Sequence, residues 1–325
     1  MPEAANKGQG PTPLTAAAGR TRAEVDLAAL MRLGSLELRA KVIVQGLWRG
    51  LHRSPFHGFS VEFTEYRPYS PGDDVRFLDW RLYARSDRDY VKKYEDETNL
   101  RCQLLVDQSR SMAFRAGAAY SKADYGATVA ATLASFLFAQ GDAVGVTTFA
   151  GAIAEHLPAR NRPGHLRRLM LALERPADGR ESAVGKVLEQ INDQLRRRGM
   201  VVLISDLLVP PAECERPLAA LRAAGHEVLV LQVIDPVERT LAVAGANNPW
   251  AGPLRLRDLE TDAELDVDLS RSGAGYRHAF ADHLDAIGAI CARLGVERHV
   301  LMTDRPIEEV LAPLIAARSN QRGRR

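Results

Sequence analysis

The sequence predicts an α/β protein built on a doubly wound parallel sheet, and three observations predict it. Four apolar runs, "RCQLLVD", "AVGVTTFAG", "GMVVLISDLL" and "HEVLVLQVID", are rich in Val, Ile and Leu, as strands buried on both faces must be. Segments with apolar residues at helical spacing separate them, the alternation that builds βαβ units. The first and third runs close on an aspartate, Asp107 and Asp206, at the strand ends where open parallel sheets collect ligands.

Residues 1–24 are polar, with no apolar core behind their charges, and are read as a disordered N-terminus rather than a secretory leader. Residues 25–99 form an N-terminal helical arm and a charged, aromatic segment. In the arm, Leu27, Leu30, Met31, Leu36, Leu38 and Val42 fall on overlapping helical faces, with Gly34 and Ser35 as an interruption. The sheet domain is assigned to residues 100–316. Its first strand leads into a helix, "SKADYGATVAATLASFLFAQGD", that stops at Gly141. After the second strand, "GHLRRLMLALE" and "AVGKVLEQINDQLRR" are helical; "PAECERPLAALRAAG" is a helix between the third and fourth. Beyond Asp235, alternation in "GPLRLRDLETDAELDVDLS" predicts a small appended strand pair at about 253–269 around Thr261 and Asp262. A helix closed by Gly295, a strand "VERHVLMTD" and a last helix opened by Pro306 complete the domain. Residues 317–325, "ARSNQRGRR", are read as a frayed basic tail.

Composition narrows the function. Hydrophobic residues make up 46% of the 325 and charged residues 26%, an ordinary balance for a globular protein. A net charge of +2 gives no push toward nucleic acid. Cys102, Cys214 and Cys291 are far apart and unpaired in sequence, which argues against a disulfide framework or zinc knuckle and for a reducing compartment. No uncharged apolar run is long enough to cross a bilayer, so a cytoplasmic protein without membrane insertion is expected.

The candidate site is the D-x-S-x-S loop of Asp107, Ser109 and Ser111, whose alternate side chains can face one centre. One carboxylate, two hydroxyls and the more distant Asp206 make a hard-oxygen set of low charge, suited to Mg²⁺ or Mn²⁺ held partly through water. Such a set leaves a coordination position for an acidic group on another molecule. The plainer reading is a turn and helix cap, for which Asp and Ser are common; the strand-end position and the second aspartate favour the metal. The loop resembles the metal-ion-dependent adhesion site of von Willebrand factor A domains. That resemblance implies a sheet of the von Willebrand factor A, Rossmann-like type and a bound Mg²⁺, with Mn²⁺ or Ca²⁺ as alternatives. It also implies a threonine in a G-x-T pattern before a later helix. Spacing to that helix in "DGRESAVGKVL" places Ser182 there, a departure that keeps the hydroxyl.

The segment before the site interleaves charges and aromatics. Arg67, Tyr69, Asp73, Asp74, Arg76, Asp79 and Trp80 are candidates for a partner-binding surface, or for an ion-pair network that holds the arm to the sheet. "YVKKYEDETNL" is expected to run extended beside the first strand. "RPYSPGDDVRFLDW" matches R-x-Y-x-x-G-D-D-x-R-x-x-D-W, and the chain resembles the bacterial family called domain of unknown function fifty-eight. Members of that family are often encoded beside AAA+ ATPases of the MoxR group. The resemblance implies an adaptor or co-chaperone role with such an ATPase as protein partner.

Signs of catalysis are missing from the sequence: no P-loop, no nucleophile elbow with its histidine, no dinucleotide fingerprint and no H-E-x-x-H. His156, His165, His226, His278, His283 and His299 are scattered and read as surface or helix-end residues. Glu260, Asp262, Glu264, Asp266 and Asp268 read as a solvated hairpin edge. The expectation is a non-enzymatic, metal-dependent protein-binding adaptor with no small-molecule substrate. Its rivals are a Mg²⁺- or Mn²⁺-dependent phosphate-ester hydrolase, in which Asp107 and Asp206 grip the metal, and a metal-free scaffold.

Overall fold

The computed structural model describes residues 26–52, 66–68, 90–92, 100–116, 119–179, 182–241, 253–259 and 263–322. In chain order the elements are α1 (Leu27–Met31), α2 (Leu36–His52), β1 (Tyr66–Pro68), β2 (Tyr90–Lys92), β3 (Arg101–Asp107), α3 (Lys122–Ala139), β4 (Ala143–Phe149), β5 (Ile153–Arg160), α4 (His165–Leu173), α5 (Val184–Gln194), β6 (Met200–Ser205), α6 (Pro211–Ala223), β7 (Glu227–Ile234), α7 (Pro236–Thr240), β8 (Pro253–Arg257), β9 (Glu264–Asp268), α8 (Leu269–Leu294), β10 (Glu297–Met302) and α9 (Ile307–Arg322).

Six strands form the main sheet in the order β10-β7-β6-β3-β4-β5. Every pairing is parallel except that of β4 with β5, which is antiparallel. Renumbered by chain order within the sheet, this is 3-2-1-4-5-6, the doubly wound arrangement. The central strands are apolar because both their faces are covered. Leu104, Val106, Val202, Ile204, Leu229 and Leu231 join one core, with α2, α3, α4 and α9. Leu105, Val201, Leu203, Val228 and Val230 join the other, with α5, α6 and α8. Alternate residues of one strand thus serve opposite layers, the period-two rule of a pleated strand.

The arm belongs to the first layer. Leu36, Ala40, Ile43 and Leu47 recur at helical spacing along α2 and are all buried in that core. Trp48 adds a ring contact to Phe136 of α3, centroids 5.0 Å apart. Gly34 and Ser35 separate α1 from α2, as the sequence predicts.

Some elements differ from expectation. β5 is an antiparallel edge strand in an otherwise parallel sheet; Leu157 and Ala159 turn inward while Glu155, Pro158 and Arg160 do not, so it lacks the continuous apolar run of its neighbours. β2 pairs with β1, and residues 93–99 of the segment expected beside the first strand lie outside the described residues. Asp235 and Glu238 make a reciprocal capping box that starts α7, a helix too short to carry an apolar period. The expected frayed tail is helical as far as Arg322. β8 and β9 form the expected antiparallel pair, and Arg255 on β8 meets Glu264 and Asp266 on β9. The expected N-terminal disorder, residues 1–24, lies outside the described residues. Among the described residues no helix is long and apolar enough to cross a membrane.

Gly145 in β4 lies where three strands crowd together. A methyl group there would meet the side-chain oxygen of buried Gln103 and approach Leu157 O at 2.5 Å and Ala159 N at 2.6 Å. Two of these contacts are backbone and cannot swing away. Gly145→Ala is therefore expected to lower unfolding stability by about 1–3 kcal/mol through overpacking, read from the urea midpoint at unchanged slope.

Candidate functional site

The order of the sheet creates the site. From β3 the chain winds outward through β4 to β5, and from β6 it winds the other way through β7 to β10. β3 and β6 are therefore the strands at which the winding reverses, where doubly wound folds open a crevice. Their parallel register pairs Val106 with Ile204, so Asp107 and Ser205 stand level on one rim and Asp206 follows immediately. Asp107 is 0% exposed and Asp206 is 1% exposed.

Asp107 is held by serines. The Ser109 N–H donates to its Oδ1 at 2.9 Å, closing a turn back onto the strand end. The Ser182 and Ser205 hydroxyls both donate to its Oδ2, at 2.8 and 2.7 Å. Ser109 and Ser111 present their hydroxyl oxygens 3.0 Å apart. Ser182 arrives from a loop stitched to the site: Gly179 N–H donates to Gln108 O at 3.3 Å, and Ala183 N–H to Ala150 O at 3.0 Å. Past Asp206 the backbone is strained. Buried Leu207 has φ +53°, a left-handed conformation uncommon for a side chain of its size. Its N–H donates to Ser205 Oγ at 3.0 Å, and its carbonyl accepts from His283 Nε2 at 2.8 Å.

A lysine completes the arrangement. Lys122 opens α3, directly after the N-cap Ser121, and its side chain is wholly buried. Its ammonium donates to Asp206 Oδ2 at 2.8 Å and to Glu238 Oε1 at 2.5 Å. The Phe114 ring lies 5.8 Å away. Burial would push this amine down, but Asp206 and then Glu238 outweigh it and hold it above its ordinary value. Glu238 itself is raised, chiefly by burial, against the opposing pull of Lys122.

The Asp107 carboxyl is raised to about 6, first by burial and then by the negative charge of Asp206, against the hydrogen bonds from Ser205 and Ser109. A divalent cation would relieve both causes. The oxygens present fit one: a Mg²⁺ octahedron with ligands at about 2.1 Å sets adjacent oxygens about 3 Å apart, the spacing of the Ser109 and Ser111 hydroxyls. Asp107, Ser109, Ser111 and Ser182 are the residues that would hold it. Among the described residues no group of three or more His, Cys, Asp or Glu forms a metal cage, so the donors here are mostly hydroxyls.

Asp107, Ser109, Ser111, Ser182 and Asp206 come together on one rim. Asp206 faces Asp107, but its carboxylate is engaged by Lys122. Ser205, Lys122 and Glu238 join the site without having been expected from the sequence. A hydroxyl at the last position of the apolar run "VVLIS" was the available signal for Ser205. Of the candidate partner-binding residues, Arg67 lies in β1; Tyr69, Asp73, Asp74, Arg76, Asp79 and Trp80 lie outside the described residues, as do Glu260 and Asp262. The histidines do not converge, although His165 and His226 are buried rather than on the surface. His165 Nε2 donates to Val144 O at 2.9 Å. The three cysteines are buried.

A pH dependence follows. Folded Asp107 keeps its proton up to about pH 6, whereas an unfolded aspartate releases it near 3.8. Between these values the folded state binds the extra proton, so the contribution is fully present below the unfolded value and is lost as pH rises through 6. Asp107→Asn is expected to flatten the stability curve of the metal-free protein between these pH values and to raise its stability at neutral pH, measured by urea unfolding across the range.

An uncharacterized protein of Mycobacterium tuberculosis is 32% identical over 292 residues, covering 85% of this chain and 88% of that protein; an uncharacterized protein of Mycobacterium bovis matches to the same extent. Among solved structures, the conserved hypothetical protein BatB of Bacteroides thetaiotaomicron is 16% identical with a TM-score of 0.46, covering 68% of this chain and 99% of that one. The VWA domain of SpRpn10 is 11% identical with a TM-score of 0.36, covering 65% and 94%. The fold is a doubly wound α/β sheet, with the D-x-S-x-S loop at the end of its first strand. Matched over residues 65–287, the chain belongs to the family described as protein of unknown function DUF58.

Proposed function

We propose that the chain is a non-enzymatic, metal-dependent protein-binding adaptor or co-chaperone that works in the cytoplasm with a MoxR-type AAA+ ATPase. The observation that carries this reading is the buried Asp107 carboxylate ringed by serine hydroxyls, with Ser109 and Ser111 set beside it and Ser111 partly exposed. Mg²⁺, when bound, would supply a Lewis-acidic centre. Ser109, Ser111 and Ser182 would help to hold it, and Asp107 would neutralise part of its charge. A carboxylate from the partner would supply a further oxygen.

The surroundings of Ser111 suit a protein ligand. A cavity of about 500 Å³ opens beside it; Phe114, Leu241, Leu259 and Tyr276 wall it together with the charged Glu238, Arg255, Arg257 and Asp258. It lies between the site loop and the β8–β9 pair, and Arg110 Nη1 donates to Leu259 O across the gap at 3.3 Å. An acidic side chain on the loop and an apolar neighbour in the cavity together describe the partner segment.

The hydrolase reading weakens on the geometry. It needs Asp206 on the metal and a cation free to meet a phosphoryl oxygen. Lys122 is near enough to serve, yet it is 0% exposed and held by two carboxylates.

Two tests separate the readings. Asp107→Ala is expected to abolish Mg²⁺-dependent capture of a MoxR-type ATPase by the full chain, while Arg32→Ala, on the exposed surface far from the loop in sequence, leaves it intact. Undiminished capture by Asp107→Ala counts against the mechanism. Mg²⁺ is also expected to raise the melting temperature of the native chain and EDTA to reverse the rise, because a ligand of the native state stabilises it; no shift at millimolar Mg²⁺ favours the metal-free scaffold.

A further inference from the structure

The least expected feature of the site is a lysine where a metal site has most use for negative charge. Lys122 leaves the first turn of α3 and runs inward, its side chain fully enclosed. Its ammonium bridges Asp206, in the connection from β6 to α6, and Glu238, in the first turn of α7. Both oxygens of Asp206 are engaged, Oδ2 by this ammonium and Oδ1 by the Leu208 N–H at 3.3 Å. Glu238 is fixed in turn, its Oε2 accepting the Asp235 N–H at 3.1 Å in the box that starts α7. A buried ammonium with two carboxylate partners is costly to displace, because each ion left behind would be unpaired away from water.

This arrangement bears on the metal-binding reading, on which the inference rests. We propose that Lys122 is the resident cation of the site: its ammonium competes with a divalent ion for Asp206 and holds metal affinity below the level the oxygen donors alone would give. Two effects act in the same direction. The ammonium occupies the lone pairs that Asp206 would offer to a metal or its waters. It also places a positive charge beside the incoming ion in a poorly screened interior, where like charges repel strongly. Lys122 is thus a positioning residue that acts on the metal through Asp206.

The proposal has a sign that a structural role lacks. Loss of a merely structural lysine loosens the site and weakens metal binding; loss of a competing cation tightens it. The experiment is a Mn²⁺ titration followed by electron paramagnetic resonance, on the full chain at neutral pH, with the wild type and Lys122→Met. Methionine keeps much of the stem and removes the charge. The expected result is at least tenfold tighter Mn²⁺ binding by Lys122→Met. Binding by the variant with none by the wild type also supports the inference, and overturns the metal-dependent adaptor reading for the native chain. Equal or weaker binding by a folded Lys122→Met overturns the inference and leaves that reading standing wherever the wild type binds. Binding by neither protein overturns both.

If Lys122→Met does not fold, circular dichroism will show it, and Lys122→Met with Glu238→Gln, which removes one charge of each sign, takes its place with the same expectations. Folding of these variants only when Mn²⁺ is present means that the metal replaces the ammonium, as proposed. Failure to fold with or without Mn²⁺ makes the lysine a structural counter-ion, and the proposal falls.

Discussion

The site depends on one constraint: two carboxylates, Asp107 and Asp206, are buried together at the reversal point of the sheet, with one buried ammonium that the partly buried Glu238 shares. Asp107 is 0% exposed, Asp206 1%, and the Lys122 side chain 0%. Ionised groups leave water at a cost of several kcal/mol each unless paired and hydrogen-bonded. The structure answers each differently. Asp107 receives hydroxyl and N–H donors. Asp206 receives the ammonium, and Glu238 shares that ammonium while capping a helix. The elements around the rim are placed by these demands as much as by their apolar faces. The length of the connection from β3 to α3 sets where Lys122 can reach, and the immediate start of α7 after β7 sets where Glu238 stands.

Two apolar layers make this burial affordable. The central strands bury both faces, so the rim that carries Asp107 and Asp206 is backed by packed side chains rather than by water. The arm strengthens the layer against which α3 lies, since Leu36, Ala40, Ile43 and Leu47 pack into the same core as Val129, Ala130 and Leu133. Lys122 begins that same helix. The arm, remote from the loop in sequence, therefore shares a core with the helix whose first residue supplies the ammonium.

Much of this was legible in the residues. Val, Ile and Leu without alternation announced buried parallel strands, and strand-end aspartates marked the rim. Ser182 was placed by its distance from the following helix, and its hydroxyl does reach Asp107. What escaped had weak or misleading local signals. In "SKADYG" a lysine one residue past a serine cap looks like any solvated first-turn lysine; only the fold turns Lys122 inward against Asp206, 84 residues away. Glu238 looks like the third residue of a capping box, which it is, and nothing local shows that its second oxygen is used elsewhere. The antiparallel β5 was hidden because "IAEHLPAR" mixes charges and a proline with its inward residues, as an edge strand tolerates.

The charge balance of the rim leads to a last step. Under the adaptor reading, a divalent ion at the serines would have Asp107 as its one directly available carboxylate, because Asp206 is committed to Lys122. Hydroxyls orient a cation but add no negative charge. The ion would then remain short of neutralising charge in a poorly hydrated setting, and a carboxylate brought by another protein would make up the difference. Metal and partner would each bind more tightly in the presence of the other, by equal factors, as linkage requires. A site rich in carboxylates would hold its metal firmly whether or not a partner came. Under the adaptor reading this one, poor in free carboxylate and already furnished with a cation, would let the partner's acid decide whether the metal stays.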